Sequence, residues 1–268
     1  MLMQALCSVA PRRYRVYRLL SRLAADRYEI YRVEGGLIFL NLHESSAMVQ
    51  RAMRSYEPSK HAIIRRHLRP GMTFIDVGAN KGDFTLLAAR LTGGSGRVIS
   101  IEPEPENHSM LQRSIALNDY PHIKVLQLAL SDGDGTTTLQ IGSTSGAHTL
   151  SSDFHGIRAV EVPTRTLDGI VAEEELGSVD MIKMDVQGFE LAVLRGAAQT
   201  LRANPRIILL LDLPRQSEKR HAIGEYLAPF GFTYFPESDE DAPMRNLPAQ
   251  AFEVAAMRLQ TRSNRGDA

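Results

Sequence analysis

The residues of this chain best suited to chemistry are acids and glycines placed where apolar runs end. The first group is Phe74-Ile75-Asp76-Val77-Gly78-Ala79-Asn80-Lys81-Gly82-Asp83-Phe84, an apolar run that turns between two glycines and enters a helix-like stretch. Gly78 and Gly82 let backbone approach a ligand, or take positive φ, without a Cβ clash. About twenty residues on, Val98-Ile99-Ser100-Ile101 ends in Glu102 and Pro103, and an acid there is where open α/β sheets hold ribose hydroxyls. A third group, Asp185-Val186-Gln187-Gly188-Phe189-Glu190, follows an apolar run interrupted by Lys183, and Asp212 closes the run that begins at Arg206.

The first two groups together point to a bound adenosine. Dinucleotide sites need G-x-G-x-x-G so that backbone can reach a pyrophosphate, and here Asn80 fills the second glycine position. The turn also lacks the Gly-Lys-Ser/Thr ending of phosphate loops. S-adenosylmethionine has no phosphate and suits the turn, and Asn80 can hydrogen-bond its amino-acid end. The sequence therefore assigns Asp76, Gly78, Asn80, Gly82, Phe84, Glu102 and Pro103 to this cofactor, with Ala129, Leu130 and Ser131 along the adenine. A plain turn explains the last three almost as well.

Asp185 is read as facing the cofactor methyl and as the first candidate for a general base, with Gly188 opening room for an acceptor. Lys183, Gln187 and Glu190 are assigned to the acceptor side; Lys183 in an internal ion pair and Glu190 as a helix cap are the competing structural readings. If the runs ending in Asp185 and Asp212 are neighbours, the two acids lie on strands about 4.8 Å apart. They are then candidates to hold a magnesium ion, to share a proton or to bind a polyol. His148, in a loop above these ends, is the second candidate base, and His155 shares that loop.

These positions require a parallel sheet. From Met72 onward strand-like and helix-like runs alternate, which predicts an α/β fold with helices on both sheet faces. The strands are expected at Thr73 to Val77, Arg97 to Ile101, Ile123 to Leu130, Val179 to Asp185 and Arg206 to Asp212. Phe232 to Phe235 and Phe252 to Leu259 are expected as an antiparallel hairpin at the sheet edge. Thr136 to Ile141 and Arg158 to Val162 read as extra strands around a Gly/Ser/Thr-rich loop, a kind that is usually functional. One helix is expected over Glu190 to Ala203. Residues 1–70 read as an N-terminal extension: an arginine-rich helix near Tyr14 to Ala24, a hairpin turned at Gly35-Gly36, and a helix from Ser59 to Leu68. Residues 71–260 form the cofactor-binding domain and 261–268 a disordered tail.

Lysine plus arginine equals aspartate plus glutamate at 31 each, so no net charge draws the chain to nucleic acid. Cys7 is the only cysteine, which excludes an internal disulfide and a cysteine zinc site. No apolar stretch reaches the roughly 20 residues needed to span a bilayer. The arginines follow the weakly apolar start instead of preceding it, the wrong order for a secretory leader, so a cytoplasmic place is expected. The arginine-rich helix reads as a solvated face over a packed stripe, with a dimer contact and surface membrane adhesion as the alternatives.

With these groups in hand, the chain resembles the FkbM family of S-adenosylmethionine-dependent methyltransferases. The resemblance rests on Phe74 to Asn80, Ile101-Glu102-Pro103, Ala129 to Gly135, Thr166-Leu167-Asp168 and Ile182 to Glu190, with Tyr56-Glu57-Pro58 as a lead-in. It implies a Rossmann-like class I methyltransferase fold, a mostly parallel seven-stranded sheet, and O-methylation of a hydroxyl on a sugar, polyketide or other small-molecule or glycan acceptor. A non-catalytic cofactor-binding relative and a nucleic-acid methyltransferase are the alternatives. The chain departs from the family pattern at Gln187, where glutamate is usual, and near Asp212, which leaves metal dependence and substrate class open.

Overall fold

In the computed structural model, residues 28–41, 56–142, 158–236, 243–244, 247 and 253–258 are described. The chain opens with a hairpin, β1 (Tyr28–Val33) and β2 (Gly36–Asn41), and a helix, α1 (Pro58–His67). Strand and helix then alternate through β3 (Thr73–Val77), α2 (Asp83–Thr92), β4 (Arg97–Ile101), α3 (Pro105–Ala116) and β5 (Ile123–Leu126). A side group follows, of β6 (Ala129–Leu130), β7 (Gly135–Ile141) and β8 (Arg158–Arg165). Alternation resumes with α4 (Leu167–Glu173), β9 (Met181–Met184), α5 (Glu190–Arg195), α6 (Ala198–Ala203), β10 (Ile208–Asp212) and α7 (Ser217–Leu227). The last elements are β11 (Thr233–Pro236) and β12 (Glu253–Met257).

The main sheet has seven strands in the order β11-β12-β10-β9-β3-β4-β5. All are parallel except β12, which pairs antiparallel with both β10 and β11. The fold is thus α/β with a mostly parallel sheet, as the sequence predicts. β3 and β4 fall where expected because each is a buried run bounded by turn residues. β11 and β12 do pair antiparallel, but β12 lies inside the sheet and only β11 is at the edge.

Side chains alternate between two cores, as the period of two along a strand requires. Ile75, Val77, Ile182, Met184, Leu209 and Leu211 face one side, with Leu167 of α4, Val193 of α5, Leu201 of α6 and Ile223 of α7. Phe74, Met181 and Leu210 face the other, with Ile63 and Ile64 of α1 and Phe84, Leu87 and Ala88 of α2. Each such buried side chain larger than alanine contributes about 1.5–3 kcal/mol. The same parity places Asp76, Lys183 and Asp212 on the face covered by α1 and α2, and this placement builds the site.

Three elements differ from the sequence reading. The run Ile123 to Leu130 divides: β5 joins the main sheet, while β6 joins β8 and β7 in a separate three-stranded sheet. The helix expected over Glu190 to Ala203 is two helices, because the Gly196 carbonyl accepts the Asp168 N–H (2.9 Å) and the Asp168 carboxylate caps α6 through Gln199 N–H, Thr200 N–H and the Thr200 hydroxyl. The hairpin turns at Glu34-Gly35, and a Cβ on Gly35 would stand 2.2 Å from the backbone of Leu86 and Leu87. Glycine is thus required where the hairpin docks on α2. Asn118 brackets Leu37 by its N–H and C=O (2.9 and 2.7 Å), and Tyr120 donates to the Gly35 carbonyl. The arginine-rich stretch near Tyr14 to Ala24 and the tail 261–268 lie outside the described residues.

Candidate active site at the carboxyl ends of the strands

The turn after β3 carries three left-handed residues, Gly78 (φ 76°), Asn80 (φ 52°) and Gly82 (φ 96°). A Cβ on Gly78 would lie 2.1 Å from the Asp185 carbonyl oxygen. The space that this glycine leaves is therefore filled by the turn after β9, where the sequence reading offered ligand approach or positive φ. The Asp185 N–H also donates to the Val77 carbonyl (3.1 Å), so the two turns form one backbone seam. On the other side, Gly78 and Ala79 N–H both donate to the Ile101 carbonyl, each at 3.0 Å.

The left-handed Asn80 aims its N–H at Glu102 Oε2 (2.7 Å), while Glu104 N–H donates to Oε1 (3.0 Å). Burial pushes the Glu102 carboxyl up to about 7, against the opposing pull of these two N–H groups. The carboxylate is thus fixed at the end of β4 with acceptor capacity left on both oxygens. That fits the two hydroxyls of a ribose. Lys81, fully buried, reaches Asn107 Oδ1, a contact that sequence reasoning did not anticipate. Pro103 is half-buried beside Glu102, Ala129 and Leu130 are buried, and Ser131 N–H is bonded to the Arg165 carbonyl (3.0 Å).

Beneath the turns runs a polar seam. Asp76, paired in register with Ser100 on one side and Lys183 on the other, is fully buried. Its carboxylate accepts from the Thr85 hydroxyl (2.7 Å) and lies 3.5 Å from Lys183 Nζ, which donates to the Gly78 carbonyl (2.9 Å). Burial alone would lower the Lys183 pKa, but Asp76, Asp185, Asp212 and Glu57 outweigh it and raise it. Asp76 and Lys183 therefore lie paired beneath the turns, which is the contact that the internal-pair alternative for Lys183 describes. Phe84 lies in the same layer, its ring 4.8 Å from that of His61, with Lys183 Nζ 5.5 Å from its centroid.

Asp185 is partly exposed, and its Oδ1 accepts from Gln187 Nε2 (2.6 Å). An amide at 187 can donate to Asp185 where a glutamate would repel it. Glu190 Oε1 accepts from Gly188 N–H (2.9 Å), and Oε2 is buried with no hydrogen-bond partner. Burial pushes the Glu190 carboxyl up to about 7.

Asp212 follows Leu211, the register partner of Met184, so it does stand beside Asp185. Both of its oxygens, however, are held by Lys60 Nζ of α1, at 2.6 and 2.8 Å. Burial and the Asp185 charge push Asp212 up to about 7, with Lys60 opposing. The magnesium reading of Asp185 and Asp212 does not fit this donor set, since an ammonium already occupies the carboxylate. Among the described residues no group of three or more His, Cys, Asp or Glu is arranged to hold a metal. The sequence reading missed Lys60, because lysine on a helix normally reads as solvated; Tyr56-Glu57-Pro58 beside it was the available signal. His148 and His155 lie outside the described residues.

Comparison with known proteins shows what the chain is similar to. Residues 76–237 match the Methyltransferase FkbM domain. "Methyltransferase sdnD" of Sordaria araneosa is 29% identical over 153 residues, 46% of this chain and 59% of that protein. "2-O-methyltransferase NoeI" of Sinorhizobium fredii is 28% identical over 187 residues, 64% of this chain and 76% of that protein. The chain spans 59% and 57% of the length of two methyltransferases that it matches, those of Sordaria araneosa and Beauveria bassiana. Among solved structures, Methyltransferase FkbM from Methylobacillus flagellatus is 16% identical with a TM-score of 0.47, covering 79% of this chain and 52% of that one. Among the described residues no helix is long and apolar enough to cross a membrane.

Proposed function

Since the chain belongs to the FkbM methyltransferase family, we propose that it transfers the methyl group of S-adenosylmethionine to a hydroxyl of a small-molecule or glycan acceptor. One observation carries the cofactor part: Glu102 is fixed by the Asn80 and Glu104 N–H groups at the end of β4 with acceptor capacity remaining. The sulfonium of the bound cofactor supplies a methyl that is already reactive. The protein's own tasks are then alignment and removal of the acceptor proton.

Asn80, Gly82 and Glu102 hold the donor side, and Pro103, Ala129, Leu130 and Ser131 border it. Asp185, turned by Gln187 and partly exposed, is the group placed to accept the hydroxyl proton. Glu190, with one buried oxygen unpartnered, is the candidate second contact to the acceptor. That one matched relative is named a 2-O-methyltransferase supports oxygen as the atom methylated.

The test has two stages. S-adenosylhomocysteine should raise the melting temperature and NAD should not. Incubating the protein with cell extract and isotopically labelled methyl donor should then give a labelled ether, identified by mass spectrometry. Asp185→Asn should keep S-adenosylhomocysteine affinity and lower product formation roughly 10²–10⁴-fold, the usual share of a general base. Stabilisation by S-adenosylhomocysteine without any labelled product would instead indicate a binding protein.

A further inference from the structure

The N-terminal end of α1 places a lysine where few lysines are found. Glu57 takes the left-handed conformation (φ 41°) and Pro58 begins the helix, which sets Lys60 one turn in, facing the sheet. Lys60 is fully buried, and carboxylates from three elements surround its Nζ. Asp212 of β10 binds it at 2.6 and 2.8 Å, Glu57 at 2.7 Å, and Glu253 of β12 lies 4.0 Å away. An isolated buried ammonium costs several kcal/mol, so this position is tolerated only because it is so fully paired. Asp212, which stands beside Asp185, is the carboxylate that a hard divalent cation at these strand ends would have to share with this ammonium.

We propose that Lys60 is the resident cation of the active site: its ammonium takes the place that a divalent metal would need and holds the Asp212 carboxylate beside Asp185. Lys60 is then a positioning residue for methyl transfer, holding Asp212 so that its charge stands beside Asp185, the proposed base. The charged groups facing this carboxylate are Lys60 and Glu57 from α1, Lys183 from β9, Asp185 from the turn after it, and Glu253 from β12. Both cations, Lys60 and Lys183, come from the fold itself.

The metal arm of the test needs no turnover. Titration of the full chain with Mn²⁺, followed by electron paramagnetic resonance, should show no specific uptake at the strand ends. Specific uptake that disappears in Asp212→Asn would overturn the proposal. The turnover arm rests on the methyl-transfer reading and uses labelled donor with extract. Chelator should leave the wild-type rate unchanged, and restoration of a chelated enzyme by Mg²⁺ would overturn the proposal. Lys60→Met should lower product formation about a hundredfold through misplacement of Asp212, with S-adenosylhomocysteine affinity kept. Lys60→Arg should recover part of the rate, because a guanidinium can also hold a carboxylate by both oxygens. A folded Lys60→Met with wild-type turnover would refute the positioning role. No labelled product from wild type would count against methyl transfer itself, leaving the Mn²⁺ result to decide about Lys60.

Discussion

At the scale of single residues, Glu102 makes the sharpest claim. Its carboxyl is pushed up to about 7 by burial, so near neutral pH it is part protonated before a ligand binds. Two ribose hydroxyls need acceptors, which favours the ionised form, so binding should release a proton. Calorimetry of S-adenosylhomocysteine binding at pH 7 in buffers of different ionisation enthalpy should show that release, and affinity should rise as pH increases through about 7. Glu102→Gln should abolish the proton release and weaken binding by roughly 1.5–3 kcal/mol; an unchanged affinity would remove Glu102 from the pocket. Glu102 was legible because an acid ending an apolar run is conspicuous. Lys60 was not, since its partner Asp212 lies 152 positions away and only the fold brings them together.

Among the elements, α1 is tied down twice. Lys60 joins it to β10, and His61 joins it to α2 through Asp83 (2.9 Å) while its other ring nitrogen meets the Glu57 carbonyl (3.0 Å). Burial pulls the His61 pKa down, but Asp83 and the Glu57 carbonyl outweigh it and raise it above 6.5. A raised histidine stabilises the fold fully below its unfolded value and loses that contribution as pH rises through the folded one. Asp83→Asn should therefore lower stability by roughly 1.5–3 kcal/mol near pH 5.5 and much less near pH 9, as measured by urea denaturation. Equal losses at both would show that the pair is not charged. Buried strands such as β3 and β4 were readable from their apolar runs and turn residues. The change of sheet between β5 and β6 was not, since Leu126 to Ala129 contains no breaking residue.

For the molecule as a whole, the hairpin of β1 and β2 is joined to the sheet domain through α2 and α3, by Gly35, Asn118, Ser114 and Tyr120. Asn118→Ala should remove hydrogen-exchange protection from residues 28–41 while the seven-stranded sheet melts as before; simultaneous loss in both would make them one cooperative unit. Strand existence was legible along the chain, whereas strand order was not, because local patterning carries no information about which distant run pairs with which. β12 is the last described strand in the sequence, yet it fills the gap between β10 and β11. During synthesis, β10 and β11 must both wait with an unsatisfied edge until Glu253 to Met257 has left the ribosome. A nascent or truncated chain lacking that segment exposes two sticky borders at once, so protein quality control would meet this molecule first at its unfinished flank.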